Sequence, residues 1–302
     1  MMPVGLKTLP LAVAGSSQQT TDLGRLFTGG STILLASAFG NGLNYAFGIF
    51  LARTLGAEEF GLYALALTIF NMLTLVVVFG MDTGAIKFIS HHLIQKQYAR
   101  ARQTLAAAAS IAFGFGLVAA IGLGLLAPPL AMTVFGKPEL VLSLLLFASA
   151  IPFATVTIVL ISALQAFQTV RYTILIKYLW EPIAKFVCAA VLIWAGYPLL
   201  GVLISIVLTL VFSAGFSIKA VYRLAFRRTG GLLLWHTQEA RTLLTYCLPL
   251  AVSNLFGVVA PRSDILILGY WANAQEVGIY LAAFQTAAIM SLFPFFISLT
   301  SL

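Results

Sequence analysis

Charge is scarce in this chain of 302 residues: 9% are Asp, Glu, Lys or Arg, while 61% are hydrophobic, and the mean hydropathy is +1.02. A water-facing domain covers its surface with roughly 25% charged residues, so a soluble globule is excluded. The apolar runs have few polar interruptions, and each reaches about 20 residues, the length that a hydrocarbon core demands of a helix. Period-two alternation is missing, which excludes a membrane barrel. With no water to satisfy the backbone, the runs must be helices. Cysteine is nearly absent. Cys188 and Cys247 lie far apart in apolar runs and form neither a disulfide framework nor a zinc site.

What is present is an all-α, polytopic membrane protein with about eight spans, placed at 31–55, 60–80, 104–127, 139–164, 172–196, 199–222, 243–271 and from 277 onward. Residues 1–30 read as a polar tail, 31–222 as a six-helix lobe, 223–242 as a linker and 243–302 as the start of a second lobe. The cations fix an orientation. Thirteen of the seventeen Lys and Arg residues fall in the tail or in the connections after spans two, four and six; Arg53 and Lys137 lie at the opposite side. By the positive-inside rule the N-terminus is cytoplasmic. The net charge of +8 is therefore a topology signal with attraction to anionic headgroups, and nucleic acid need not be invoked. Within the linker, Arg227, Arg228, Gly230, Gly231 and Leu232 to Trp235 suit either a helix in the headgroup layer or a solvated hinge.

A self-similarity is the most informative feature. Glu59-Phe60-Gly61-Leu62-Tyr63 with Ala66 matches Glu276-Val277-Gly278-Ile279-Tyr280 with Ala283 at an offset of 217 residues. Both copies fall in an outer turn between an odd and an even span. Glycine there allows a tight turn and tyrosine an interfacial anchor. Six helices separate the copies, so both halves cross the membrane in the same sense, as in transporters built of two lobes about an axis along the membrane normal.

The run from Arg53 to Tyr63, RTLGAEEFGLY, resembles the first outer turn of polysaccharide-export flippases, the O-antigen and capsule branch of the multidrug/oligosaccharidyl-lipid/polysaccharide superfamily. Arg262 to Gly269 (RSDILILG), followed by Glu276 to Tyr280, is similar to that family's seventh helix and turn. The resemblance implies a lipid-linked oligosaccharide as substrate, two six-helix lobes, and no cofactor or covalent chemistry. Polysaccharide polymerases or glycosyltransferases are the partners it implies. On that pattern the second lobe extends to about residue 439, and the chain holds two of its six helices.

Ionisable residues at membrane depth are functional candidates by default. Lys177, Glu181 and Lys185 recur every four residues on span five, a spacing that lets the carboxylate pair with either lysine. Pro182 frees the carbonyl of Tyr178. The net positive face suits either a pyrophosphate or a structural ion pair. Arg262 and Asp264 lie about 200° apart on a helix, so each needs a partner elsewhere, as a gate between lobes, a ligand contact or a structural lock, and Pro261 marks a hinge or unwound point. Arg53 snorkels or lines a cavity, and Asn41 and Asn44 share a face suited to sugars or to a neighbouring helix. Asp82 either caps the helix that follows it or carries a proton. His91, His92 and His236 receive no role.

Two other functions compete. Cation-coupled drug export needs a buried carboxylate in the first lobe, and span one has none, although Asp264 leaves an ion site in the second lobe open. A membrane glycosyltransferase, polymerase or ligase needs a sizeable outer loop, whereas the connection after span five is little more than Gly196-Tyr197-Pro198.

Overall fold

The computed structural model describes residues 16–167, 169–229, 237–259 and 262–290. Among them every regular element is a helix. Helix α1 (Ser16–Val78) turns back on itself at Gly56, whose backbone (φ 74°, ψ 173°) interrupts the helix and supplies two antiparallel arms. Only glycine adopts this geometry without strain. There follow α2 (Met81–Ile94), α3 (Tyr98–Pro129) and α4 (Leu140–Ala166). A short α5 (Val170–Thr173) runs through a wide i→i+5 turn (Ile174–Trp180) into α6 (Glu181–Trp194). Then come α7 (Pro198–Thr229), α8 (Thr237–Val259), α9 (Ser263–Trp271) and α10 (Ala274–Met290). The segments 32–94, 98–134, 140–166 and 198–224 are long and apolar enough to cross a membrane, the first of them folded back at Gly56. The protein is an all-α polytopic membrane protein.

Several elements differ from the sequence reading. The helix begins at Ser16, inside the segment read as a polar tail; residues 1–15 lie outside the described residues. The second arm of α1 continues past Gly80 as α2 after a break in which Phe79 (φ 55°) and Gly80 (φ 72°) are both left-handed. Helix α7 extends through Arg227 and Arg228 to Thr229, while 230–236, with the double glycine, Trp235 and His236, lie outside the described residues. Span seven is two helices, with Arg262 at the N-cap of the second. Pro261, the predicted hinge, lies in the undescribed gap between them.

Two buried apolar clusters hold the molecule together. One gathers Phe47, Leu51, Phe60 and Leu65 of α1 with Leu144 and Phe147 of α4, and takes in Ile265 of α9 with Val277 and Leu281 of α10. The other joins Met81 and Ile89 of α2, Leu105 of α3 and Leu164 of α4 to Leu243 and Cys247 of α8. In both, residues after position 240 pack against residues before position 170. Helix α4 is the axis of the bundle, buried along most of its length. Thr155 turns inward: it is fully buried and donates to the carbonyls of Ala112 and Pro152.

Candidate functional site at the seam between the repeats

The two copies of the repeat pack against each other. A β-carbon built on Gly61 would fall on the carbonyl oxygen of Ala274, and one built on Gly278 would fall on that of Ala57. Ala57 and Ala274 are themselves 217 positions apart, like Gly61 and Gly278, so the contact is reciprocal, as a two-fold axis requires. The glycines are therefore not turn residues. Both are helical, the chain reversal falls at Gly56, and Gly61 and Gly278 serve backbone-to-backbone approach. This corrects the turn role read from the sequence. Farther along the seam, Gly48 of α1 faces Gln285 of α10 and Gly269 of α9 faces Leu65.

The motif tyrosines are not simple interfacial anchors either. Tyr63 is buried. The hydroxyl of Tyr280 donates to Asp264 Oδ2 at 2.6 Å, while Asp264 Oδ1 accepts from the backbone N–H of Ile265 at 2.8 Å. Asp264 thus finds its partner on the next helix. Arg262 is half-buried, and no carboxylate lies within ion-pair distance of it among the described residues.

Lys137 completes this end of the seam. It follows Gly136, whose φ of 60° turns the chain toward α4. Its ammonium donates to the carbonyls of Gly269 at 2.7 Å, Ala272 at 2.9 Å and Phe135 at 3.3 Å. Two of these belong to the C-terminal end of α9, where orphan carbonyls and the helix dipole both favour a cation. The side chain is only 9% exposed, and burial holds its pKa below the usual lysine range. The sequence reading took Lys137 only as a charge count; its partners are main-chain carbonyls, which leave no trace in residue types.

At the basic end, α2 meets α8. Lys87 Nζ lies 3.9 Å from the ring centroid of Tyr246, a cation–π contact. His92 Nε2 lies 3.4 Å from Glu239 Oε2, which also accepts from Thr104 at 3.2 Å. His92 thus has a place that the sequence reading did not give it. Asp82 is no cap: Gly80 holds the N-cap position without a side-chain bond, and Asp82 Oδ1 is buried without a hydrogen-bond partner.

The charged face of span five is partly rearranged. Lys177 lies inside the wide turn and Glu181 just beyond it, so the regular four-residue spacing does not hold there. No lysine nitrogen comes within 4 Å of Glu181 among the described residues. Lys185 Nζ lies 5.1 Å from the ring centroid of Phe47, and Lys177 Nζ 5.9 Å from that of Tyr178. The buried hydroxyl of Ser213 is beside the Glu181 carboxyl without closing a regular hydrogen bond to it. The Tyr178 carbonyl faces Gly40 of α1, where a β-carbon would stand 2.8 Å from the oxygen. Asn41, Asn44 and Arg53 are exposed on the first arm of α1. The described geometry therefore joins Lys185 to the first arm and Asp264 to α10, and leaves Arg53, Asn41 and Asn44 apart from them.

Comparison with known proteins gives this architecture a family. The polysaccharide biosynthesis protein family matches residues 26–302. The chain is 26% identical over 255 residues to the succinoglycan biosynthesis transport protein ExoT of Rhizobium meliloti (strain 1021), an alignment covering 82% of this chain and 47% of that protein. The chain thus spans about half the length of this curated relative. No solved structure matches it. With a match that takes in both copies of the repeat and nearly every described helix, the chain belongs to the polysaccharide biosynthesis protein family.

Proposed function

We propose that the protein carries a polyprenyl-pyrophosphate-linked oligosaccharide across the plasma membrane for polysaccharide export. The sugar passes between two lobes that open alternately, while the lipid tail stays in the bilayer. The N-terminus is cytoplasmic, so the sugar enters from the basic end. No covalent bond is made or broken.

The observation that carries this reading is the reciprocal Gly61–Ala274 and Gly278–Ala57 contact. Backbone meets backbone at these glycines, beside Phe60, Leu65, Val277 and Leu281 of one buried cluster, so parting this end would also expose that apolar surface. Lys137 secures the same end through hydrogen bonds worth roughly 1–3 kcal/mol each when one partner is charged, small enough to break in each cycle. Lys87–Tyr246 and His92–Glu239 would close the other end by polar contacts. Breaking one set while keeping the other is the elementary step of alternating access. Lys177, Lys185 and Arg262 are the cations that would offset a buried pyrophosphate, Arg262 with a planar fork suited to phosphate oxygens. Asn41, Asn44 and Arg53 would contact the sugars or the headgroup, and Glu181 and Asp264 would hold the neighbouring cations and hydroxyls in place. A polymerase or glycosyltransferase acting on the same carrier is the expected partner.

Deleting the gene tests the reading. Lipid-linked oligosaccharide should accumulate in the cytoplasmic leaflet and fall when the gene is restored. Normal surface polysaccharide with no such accumulation would refute it.

A further inference from the structure

A second feature lies away from the seam. Between the wide turn (Ile174–Trp180) and α7 runs a groove of about 330 Å³, lined mainly by Tyr172, Leu175, Trp180, Phe216, Lys219 and Arg223. Every lining residue comes from α5, the wide turn or α7, and none comes from α8, α9 or α10.

The walls have a physical logic. Residues 175 and 180 would stand about 140° apart on an α-helix; the i→i+5 turn brings them nearer to one face, and such turns gather at functional sites. On α7, Phe216, Lys219 and Arg223 follow at three- and four-residue steps and share a face. Trp180 and Phe216 pack at 5.1 Å between centroids with their planes tilted by 57°, yet are 37% and 48% exposed, so the aromatic floor is open to the bilayer. Lys219 and Arg223 lie toward the basic end of α7, beyond the aromatic pair. Neither has a carboxylate within ion-pair distance among the described residues. An apolar trough ending in two cations at headgroup level complements an amphiphile with one anionic head.

We infer that this groove binds an acidic glycerophospholipid of the basic-end leaflet, its phosphate on Lys219 and Arg223 and part of an acyl chain along Leu175, Trp180 and Phe216. A carrier lipid seated here would hold its sugar away from the seam, which favours a resident membrane lipid over the transported one. The inference does not depend on the transport reading.

Trp180 is a built-in reporter. In the purified chain carrying W194F, W235F and W271F, Trp180 fluorescence is measured in vesicles with brominated phosphatidylglycerol or brominated phosphatidylcholine. Two cations near the surface predict a preference of roughly tenfold or more for the acidic lipid. K219Q/R223Q should bring the two lipids close to parity, and K96Q/R100Q should leave the preference in place. Both groove cations are exposed, so their replacement leaves the packing intact, and a monodisperse elution profile checks that. Equal quenching by the two lipids, or a preference that survives K219Q/R223Q, overturns the inference. So does displacement by polyprenyl phosphate at lower concentration than phosphatidylglycerol, which would assign the groove to the carrier.

Discussion

Lys137 is the residue on which one end of the seam turns. Without its ammonium, the carbonyls of Gly269 and Ala272 at the end of α9 lose a donor in a buried setting, at a cost of roughly 1–3 kcal/mol. Lys137→Ala should therefore lower thermal stability in detergent. In a background lacking Cys188 and Cys247, it should also speed reaction of a cysteine at Ala274 with an impermeant maleimide. Unchanged reactivity would mean that Lys137 does not hold this end shut. The glycines make a sharper contrast. Gly61→Ala and Gly278→Ala place a β-carbon on a main-chain oxygen and should each cost about 1–3 kcal/mol by overpacking. Gly114→Ala, in open space on α3, should be neutral or stabilising by up to about 1 kcal/mol through helix propensity. A thermal melt of the three variants in the same detergent separates these cases.

At the scale of elements, the wide turn in span five decides how its charges interact. The residue spacing predicts a Glu181–lysine pair, but the structure holds Glu181 near Ser213 and Lys185 over Phe47, coupled through space rather than by contact. Single changes Glu181→Gln and Lys185→Gln should each impair transport by leaving one charge uncompensated. The double change should recover part of the loss, with a coupling of about 1 kcal/mol, at the lower end for interacting neighbours. Strict additivity in complementation assays would show that the two charges act independently. This is also where legibility in the sequence ran out. The long apolar helices were readable because hydropathy depends on residue type alone, and the repeat because glycine and tyrosine recur at matched positions. An i→i+5 turn has no residue signature, and a lysine bonded to carbonyls looks like any other lysine. Asp264 was legible as a residue in need of a partner; that the partner is Tyr280, a repeat residue, required the fold.

On the whole-molecule scale, the account rests on two lobes with the basic end in the cytoplasm. Single cysteines at Arg100 and Arg228 should label only from the cytoplasm, and one at Ala274 only from outside. Labelling of Ala274 only after lysis would invert the topology. The central claim is flipping itself. Its most direct test reconstitutes the protein into vesicles holding a polyprenyl-pyrophosphate oligosaccharide with a fluorescent sugar, then adds a quencher that cannot cross the bilayer. In protein-free vesicles about half the fluorescence, that of the inner leaflet, should survive. With the protein nearly all should be quenched, and a cross-link that locks the Gly61–Gly278 seam should restore the protected half. Protection of that half in the presence of unlocked, folded protein would contradict the account.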